Sequence, residues 1–158
     1  MSGKSSFPYR KFDRRPHPHI VKQVLEDYRR GIKPTREQVQ NWHRYQILSF
    51  LQGLPPKIPV EDCQSFKDIL ELEKRNDAAL FHYFYITAIA SGCQEILPDL
   101  EQFMEKIGRM LFILPVVRAM TEAEWTRGVI RPLFERVRNR HHQITAHQVD
   151  EMLKKAGL

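Results

Sequence analysis

The sequence predicts an all-α fold, and three observations carry that prediction. Apolar residues recur at helical spacing from Ile20 to Leu153. No stretch alternates apolar and polar residues as a half-buried strand does. Glycine and proline punctuate the chain between the periodic stretches. Helices of about 10–17 residues joined by short turns point to a bundle or a helix-pair solenoid. No repeat of fixed period runs through the chain, so the sequence by itself supports no named tandem-repeat family.

Residues 1–19 carry Pro8, Pro16 and Pro18 among Ser, Gly and Arg. Three prolines in a polar segment exclude a regular helix or a central strand there, so these residues are expected to form a flexible or extended arm. Residues 20–34 read as a short helix and linker. Ile20, Val24, Leu25 and Tyr28 make its apolar face, and Gly31 and Pro34 end it. Thr35 has the form of an N-cap with Gln38 as capping-box partner. Val39, Trp42, Tyr45, Gln46, Ile47, Phe50 and Leu51 then extend one helix to Gly53 and the Pro55-Pro56 pair. Pro59 suits the first position of a short helix over Val60 to Phe66.

Asn76-Asp77 offers a cap for the most apolar helix, which runs through Ala90 to a stop at Gly92. Leu80, Phe84 and Ala88, with Phe81, Tyr85 and Ile89 offset by one, leave it apolar on nearly all sides, so it is expected at the centre of the fold. Residues 94–107 follow, with Gly108 read as the left-handed residue after the helix. Residues 109–120 form the next helix despite Pro115. Thr121 is read as the cap of a helix over residues 122–139, and Thr145 with Gln148 as a capping box before Ala146 to Ala156.

The chain has 158 residues, of which 42% are hydrophobic, and a formal net charge of +6. That is enough for one domain with its own core. The charge is unevenly placed. Residues 1–36 hold ten basic and three acidic side chains, a net +7; residues 37–158 hold 15 basic and 16 acidic, a net −1. A basic arm on a near-neutral body implies an acidic partner: nucleic acid, an anionic membrane or an acidic protein face. The arm has no apolar core of a secretory signal, and its prolines and Asp13 disfavour a mitochondrial presequence. Cys63 and Cys93 are too few for a disulfide framework and read as buried thiols, which places the chain in the cytoplasm. The uncharged stretch from Ala78 to Gln94 is too short and too polar to span a membrane.

Catalytic and nucleotide-binding signatures are missing. The chain has no His-Glu-x-x-His, no phosphate-cradling glycine loop and no Gly-x-Ser-x-Gly. Its seven histidines include no pair at i, i+4 with a third ligand at a natural distance, so solvated or capping roles are expected rather than a metal site. Two features stand out. In the arm, Phe7, Tyr9 and Phe12 interleave with Arg10, Lys11, Arg14 and Arg15. Such residues neutralise phosphates and stack on bases, and equally suit a solvated tail or a strap packed on the domain itself or on a neighbour. Near the other end, Arg127, Arg131 and Arg138 share a helical face with Arg136 and Arg140 alongside. That pattern reads as a solvated face, with an acidic-partner surface as the sharper alternative.

The runs Arg75-Asn76-Asp77-Ala78-Ala79-Leu80-Phe81-His82-Tyr83-Phe84, Ala90-Ser91-Gly92, Leu97-Pro98 and Gly108-Arg109-Met110-Leu111-Phe112-Ile113-Leu114-Pro115, with the turn His142-Gln143-Ile144-Thr145, resemble the C-terminal helical domain of leukotriene A(4) hydrolase and its aminopeptidase B relatives. The likeness covers residues 35–158, read as one helical domain, and leaves the first 30 or so unmatched. It implies a right-handed α-α superhelix of two helix layers, akin to armadillo and HEAT arrays. The family's zinc ligands and catalytic glutamate lie in a separate upstream domain, so the resemblance implies no catalytic residue and no cofactor here, zinc entering only with such a domain. The family's carboxylate-anchoring arginine maps to Arg109, and a guanidinium forks onto a carboxylate through paired, charge-assisted bonds. Its assisting lysine is replaced by Leu111, and the proline of its final turn by Gln143.

Three functions follow as expectations. The first, preferred because the chain starts at Met1 without a zinc domain, is a non-catalytic scaffold that binds another protein, with the arm as a second anchor. The second is the C-terminal part of a zinc aminopeptidase or epoxide hydrolase, active only with its catalytic domain. The third is a nucleic-acid or ribonucleoprotein module held by the arm.

Overall fold

In a computed structural model, the chain is described over residues 18–158. The arm residues Phe7, Tyr9, Arg10, Lys11, Phe12, Arg14 and Arg15 therefore lie outside the described residues. Helix α1 (Pro18–Arg29) starts inside the predicted arm. Its buried face is Val21, Val24 and Leu25, while Ile20 is 45% exposed. The i, i+3, i+4 register of Val21 fits a helix stripe better than the i, i+4, i+5 register that favoured Ile20.

Thr35 does cap a helix, the short α2 (Arg36–Val39). Its hydroxyl accepts the Gln38 N–H, and the Gln38 amide oxygen accepts the Thr35 N–H at 2.8 Å. The single helix expected to continue to Gly53 breaks after Val39. It restarts as α3 (Arg44–Gly53), where the Gln46 side chain accepts the His43 N–H at 2.8 Å. Helices α4 (Val60–Ile69) and α5 (Leu72–Arg75) follow. Asn76, left-handed at φ 49°, turns the chain into α6 (Ala78–Ser91). The run that carried the resemblance is a structural joint here. Arg75 donates to the carbonyls of Leu70 and Trp42, at 3.1 and 2.9 Å, and Asp77 accepts the N–H groups of Ala79 and Leu80. Gly92, at φ 82°, ends α6 in the left-handed region where glycine carries no Cβ penalty.

A 3-10 turn (Gln94–Ile96) leads into α7 (Leu97–Lys106). Gly108 is not the left-handed stop that was expected; α7 ends at Ile107 in extended conformation. Helix α8 (Met110–Glu122) carries Pro115 inside it. Thr121 is buried within α8, and its hydroxyl donates to the Arg118 carbonyl at 2.7 Å. The expected helix over residues 122–139 is therefore two pieces, α9 (Glu124–Arg127) and α10 (Ile130–Val137), with extended Ala123 between α8 and α9. Pro132 falls in the first turn of α10, where its missing N–H has no helical partner to lose. After a 3-10 turn (Arg138–Arg140), α11 (Gln143–Lys155) starts earlier than predicted. The His142 ring accepts the Ile144 N–H at 3.1 Å, and Thr145 is buried in the first turn instead of capping it.

Inter-helix contacts order these elements in two layers. In the first, α1, α3, α6, α8 and α11 lie side by side and parallel. The start of α3 pairs with the start of α6 through Arg44 and Asp77. His82 near the start of α6 meets Phe112 near the start of α8, ring centroids 5.4 Å apart, and Trp125 beyond the end of α8 donates to Ile89 near the end of α6. At the outer flanks, Arg29 donates to the Gly53 carbonyl and Arg127 to that of Ala156, so the ends of α1 and α3, and of α8 and α11, coincide. The second layer contains α4, α7 and α10, with Glu101 and Glu105 of α7 paired to Arg136 and Arg140. Returning helices packed between parallel ones make the two-layer α-α superhelix that the resemblance implied. One core, from Val21 to Leu153, runs through it. Among the described residues there is no strand, and no helix is long and apolar enough to cross a membrane.

Candidate functional site

Arg109 is the N-cap residue of α8, in extended conformation, and its side chain makes no capping hydrogen bond. It is exposed, and its guanidinium lies over the Phe112 ring, 5.6 Å from the centroid. Phe112 in turn packs on His82, which also touches Tyr83 at 4.2 Å between centroids. Burial pushes the His82 imidazole below its ordinary range, only partly offset by the Ala79 carbonyl 3.4 Å from Nδ1. A neutral His82 leaves the positive charge of this corner to Arg109 and to the amide end of α8, whose first N–H groups have no helical acceptor. Two bland roles are open to such an arginine: bonding the last carbonyls of the preceding helix, or pairing with an acid. Arg109 does neither among the described residues. A fork held against an aromatic face, beside a helix N-terminus, is chemically fit to receive a carboxylate.

The same corner belongs to a longer edge. Because the first-layer helices are parallel, their first turns lie together along one side of the molecule. Four of those turns present large apolar side chains to solvent: Ile20, Tyr45, Leu111 and Ile144, the last three 61%, 68% and 58% exposed. Periodicity had put Ile20 on the apolar face of its helix and Tyr45 in the helical run from Val39 to Leu51. Leu111, beside Arg109 at the start of α8, is the most exposed of the four. The sequence signal for the edge was each residue's place in a first turn; only the parallel layer shows that those turns are neighbours.

The other sequence candidates are distributed elsewhere. The arginines near the C-terminus are used within the fold. Arg127 donates to the carbonyls of Thr121 and Ala156, Arg131 to that of Leu158, and Arg136 and Arg140 pair with α7. Arg138 reaches Glu135 at 2.7 Å and Asp150 at 2.6 Å and lies over the Phe134 ring, which pins its charge in place and lowers both carboxyls from their usual range. This face has its acids built in. Cys63 and Cys93 are buried free thiols, and burial together with the nearby Cys93 pushes the Cys63 thiol up to about 12, far from a nucleophile's range. Among the described residues no three His, Cys, Asp or Glu side chains are grouped to hold a metal ion.

Residues 42–153 match the family described as leukotriene A4 hydrolase, C-terminal. The matched segment runs from Trp42, just before α3, into α11, and leaves α1 and α2 outside it. Leucine aminopeptidase 2 of Neurospora crassa is 25% identical over 127 residues, which are 78% of this chain and 19% of that protein. The chain thus spans about a fifth of the length of the curated relative it matches.

Proposed function

Because the chain belongs to the leukotriene A4 hydrolase C-terminal family, we propose that it is a non-catalytic helical scaffold of that aminopeptidase family, which docks on another protein along the edge where its first-layer helices begin. The observation that carries this reading is the row Ile20, Tyr45, Leu111 and Ile144, exposed beside an Arg109 that pairs with no acid among the described residues. Apolar side chains ringed by polar ones contribute affinity by leaving water. Arg109 and the amide ends of the helices add a preference for an acidic contact on the partner. The chemistry proper belongs to a catalytic domain outside this segment.

Two measurements test it. The purified chain, with or without added zinc, should not hydrolyse aminoacyl-amide substrates; turnover that follows the chain through purification would refute the scaffold reading. A family catalytic domain prepared without its own C-terminal part should bind the chain, and Leu111→Asp or Tyr45→Asp should weaken that binding at least tenfold with unchanged helicity. Equal binding by the variants would remove the edge from the proposal.

A second reading has its own observation. The Arg109 fork at the start of α8, without an acid partner among the described residues, suits the terminal carboxylate of a peptide in a complete aminopeptidase. In a reconstituted enzyme, Arg109→Ala would then raise KM for peptides with a free carboxylate and spare amidated ones. A scaffold role predicts no such distinction.

A further inference from the structure

The edge where the first-layer helices end carries a different feature. Helices α3, α6 and α8 end together, and a groove of about 960 Å³ opens over their last turns. Its floor is one stripe of α6, Tyr83, Ile86 and Ala90, with the Trp125 ring beside it, and all four are half-buried. Trp125 is fixed there, because its indole N–H donates to the Ile89 carbonyl at 2.8 Å. Exposed Lys57 stands on the α3 side, and exposed Glu122 and Glu124 stand on the α8 side. Neither glutamate has an ion-pair partner among the described residues. Arginines already sit on carbonyls at the ends of the flanking helices, Arg29 on Gly53 and Arg127 on Thr121. Helix α6 has no basic residue in its last turn, so its end adds partial negative charge beneath the groove, about half an elementary charge.

We propose that this groove docks a segment of another protein that alternates apolar and basic side chains, the apolar ones on Tyr83, Ile86 and Trp125 and the Lys or Arg ones toward Glu122 and Glu124. The groove lies near the top of the range of about 300–1,000 Å³ that small-ligand sites span, so it admits a short stretch of chain. An extended segment sends alternate side chains to opposite sides, so one row meets the floor while the other stays at the rim. Charges at a wet rim set the sign of the partner and the rate of docking, while the floor adds affinity as apolar surface leaves water. A basic side chain that crosses the Trp125 or Tyr83 ring gains a cation–π contact. Lys57 repels a cation on the α3 side, so the basic row belongs on the α8 side. A lone small cation gains little from exposed carboxylates. The site goes beyond the scaffold reading: it occupies the end of the layer away from the proposed docking edge, and either surface can fail its test without the other.

The test uses the full chain and the two indole N–H signals of Trp42 and Trp125 in nitrogen-15 spectra. The probe is the peptide acetyl-Phe-Arg-Leu-Lys-Phe-amide. It should move the Trp125 signal saturably and leave that of Trp42 in place. Acetyl-Phe-Glu-Leu-Glu-Phe-amide should bind about tenfold more weakly, and Glu122→Lys with Glu124→Lys should reverse the order of the two peptides. Glu37→Lys, a charge reversal on α2 away from the groove, should leave that order unchanged. Ala90→Phe, which puts a ring into the floor, should weaken both peptides. The difference between them should shrink at about 0.5 M salt, where the screening length falls to about 4 Å. Circular dichroism verifies that each variant is folded. A Trp125 signal indifferent to the basic peptide would overturn the docking site, as would equal affinity for the two peptides at low salt. So would a shift of the same size from arginine amide alone, which would assign the groove to a small cation. A shift that grows with chain concentration and needs no peptide would also overturn it, by giving the groove to a second copy of the chain.

Discussion

The carboxylate of Asp62 gives the sharpest quantitative test of how the N-terminal helix is held. Its side chain is 2% exposed, yet it lies between α4 and the segment after α1 with Lys33 2.9 Å from one oxygen. The Tyr28 hydroxyl donates to the other oxygen at 2.6 Å. The Tyr28 ring meets Phe66 edge-on at 5.3 Å, and Phe66 meets Phe50 at 5.2 Å, so this polar contact closes an aromatic row. A hydrogen bond to a charged acceptor contributes about 1.5–3 kcal/mol. Lys33 is exposed, and its pairing adds little. Asp62→Ala should therefore cost about 2 kcal/mol, and Tyr28→Phe about 1 kcal/mol, because the phenylalanine keeps the ring packing. For a domain of this size the first corresponds to a fall in Tm of about 6 °C. The double variant should show a coupling of about 1 kcal/mol in urea unfolding. Amide exchange should rise first in α1 if the contact is a local latch. Additive single effects, or exchange that rises evenly across α6 and α8, would refute the reasoning.

Three further outcomes follow from the same structure. Burial raises the Tyr28 phenol and the Tyr85 phenol above their usual range and the Cys63 thiol to about 12. Groups raised by folding contribute stability below their unfolded values and lose it as pH rises, so urea stability should begin to fall near pH 9, where the unfolded thiol ionises, and more steeply above 10; Cys63→Ala should remove the first part of that slope. His82 behaves oppositely: burial lowers it, so its contribution is present above about pH 6.5 and fades as pH falls, and His82→Phe should flatten the stability profile between pH 7 and 5. Gly92→Ala places a Cβ at φ 82° with nothing within 4 Å of it, so its cost is backbone strain of about 1–2 kcal/mol, whereas Gly128→Ala, with ordinary φ and equally open surroundings, should change stability by under about 0.5 kcal/mol.

How far the sequence disclosed this arrangement depends on the range of the interactions involved. Signals that act within one turn were legible. The Thr35–Gln38 box, the Asp77 cap, the Gly92 stop and the all-round apolar α6 each rest on neighbours at most four or five residues away. The misreadings arose where a local rule met a tertiary competitor. Thr121 and Thr145 have the composition of caps, but both are buried, so their hydroxyls could not serve a frayed helix end. Ile20 counted with the apolar face because periodicity defines a stripe without saying where along the helix a neighbour ends. The exposed apolar edge and the groove were not legible at all. Each exists only because α3, α6 and α8 are parallel, and that follows from the intervening helices returning in the second layer. Of the chemically suggestive residues, Arg109 was found through resemblance. Glu122, Glu124 and Trp125 carried no local signature.

Of the two helices outside the family match, α1 flanks the first layer. A helix at the flank of a stacked layer with no neighbour on its far side needs an outer face that tolerates water. Helix α1 meets that requirement: Val21, Val24 and Leu25 are buried against α3, while Lys22, Gln23, Glu26 and Arg29 face solvent. Without it, the apolar surface around Phe50, Leu51 and Leu54 on the α3 side would be opened. The Tyr28–Asp62 contact ties α1, which lies outside the family match beginning at residue 42, to α4 inside it. Among the described residues α1, like α11, has a layer neighbour on one side only, and it is held by one aromatic row and one buried carboxylate, so it is expected to open early. Loosening it by Asp62→Ala should leave α6 through α11 folded and expose the flank of α3, so proteolysis should then cleave between Gly31 and Pro34 before it cleaves anywhere within residues 78–155.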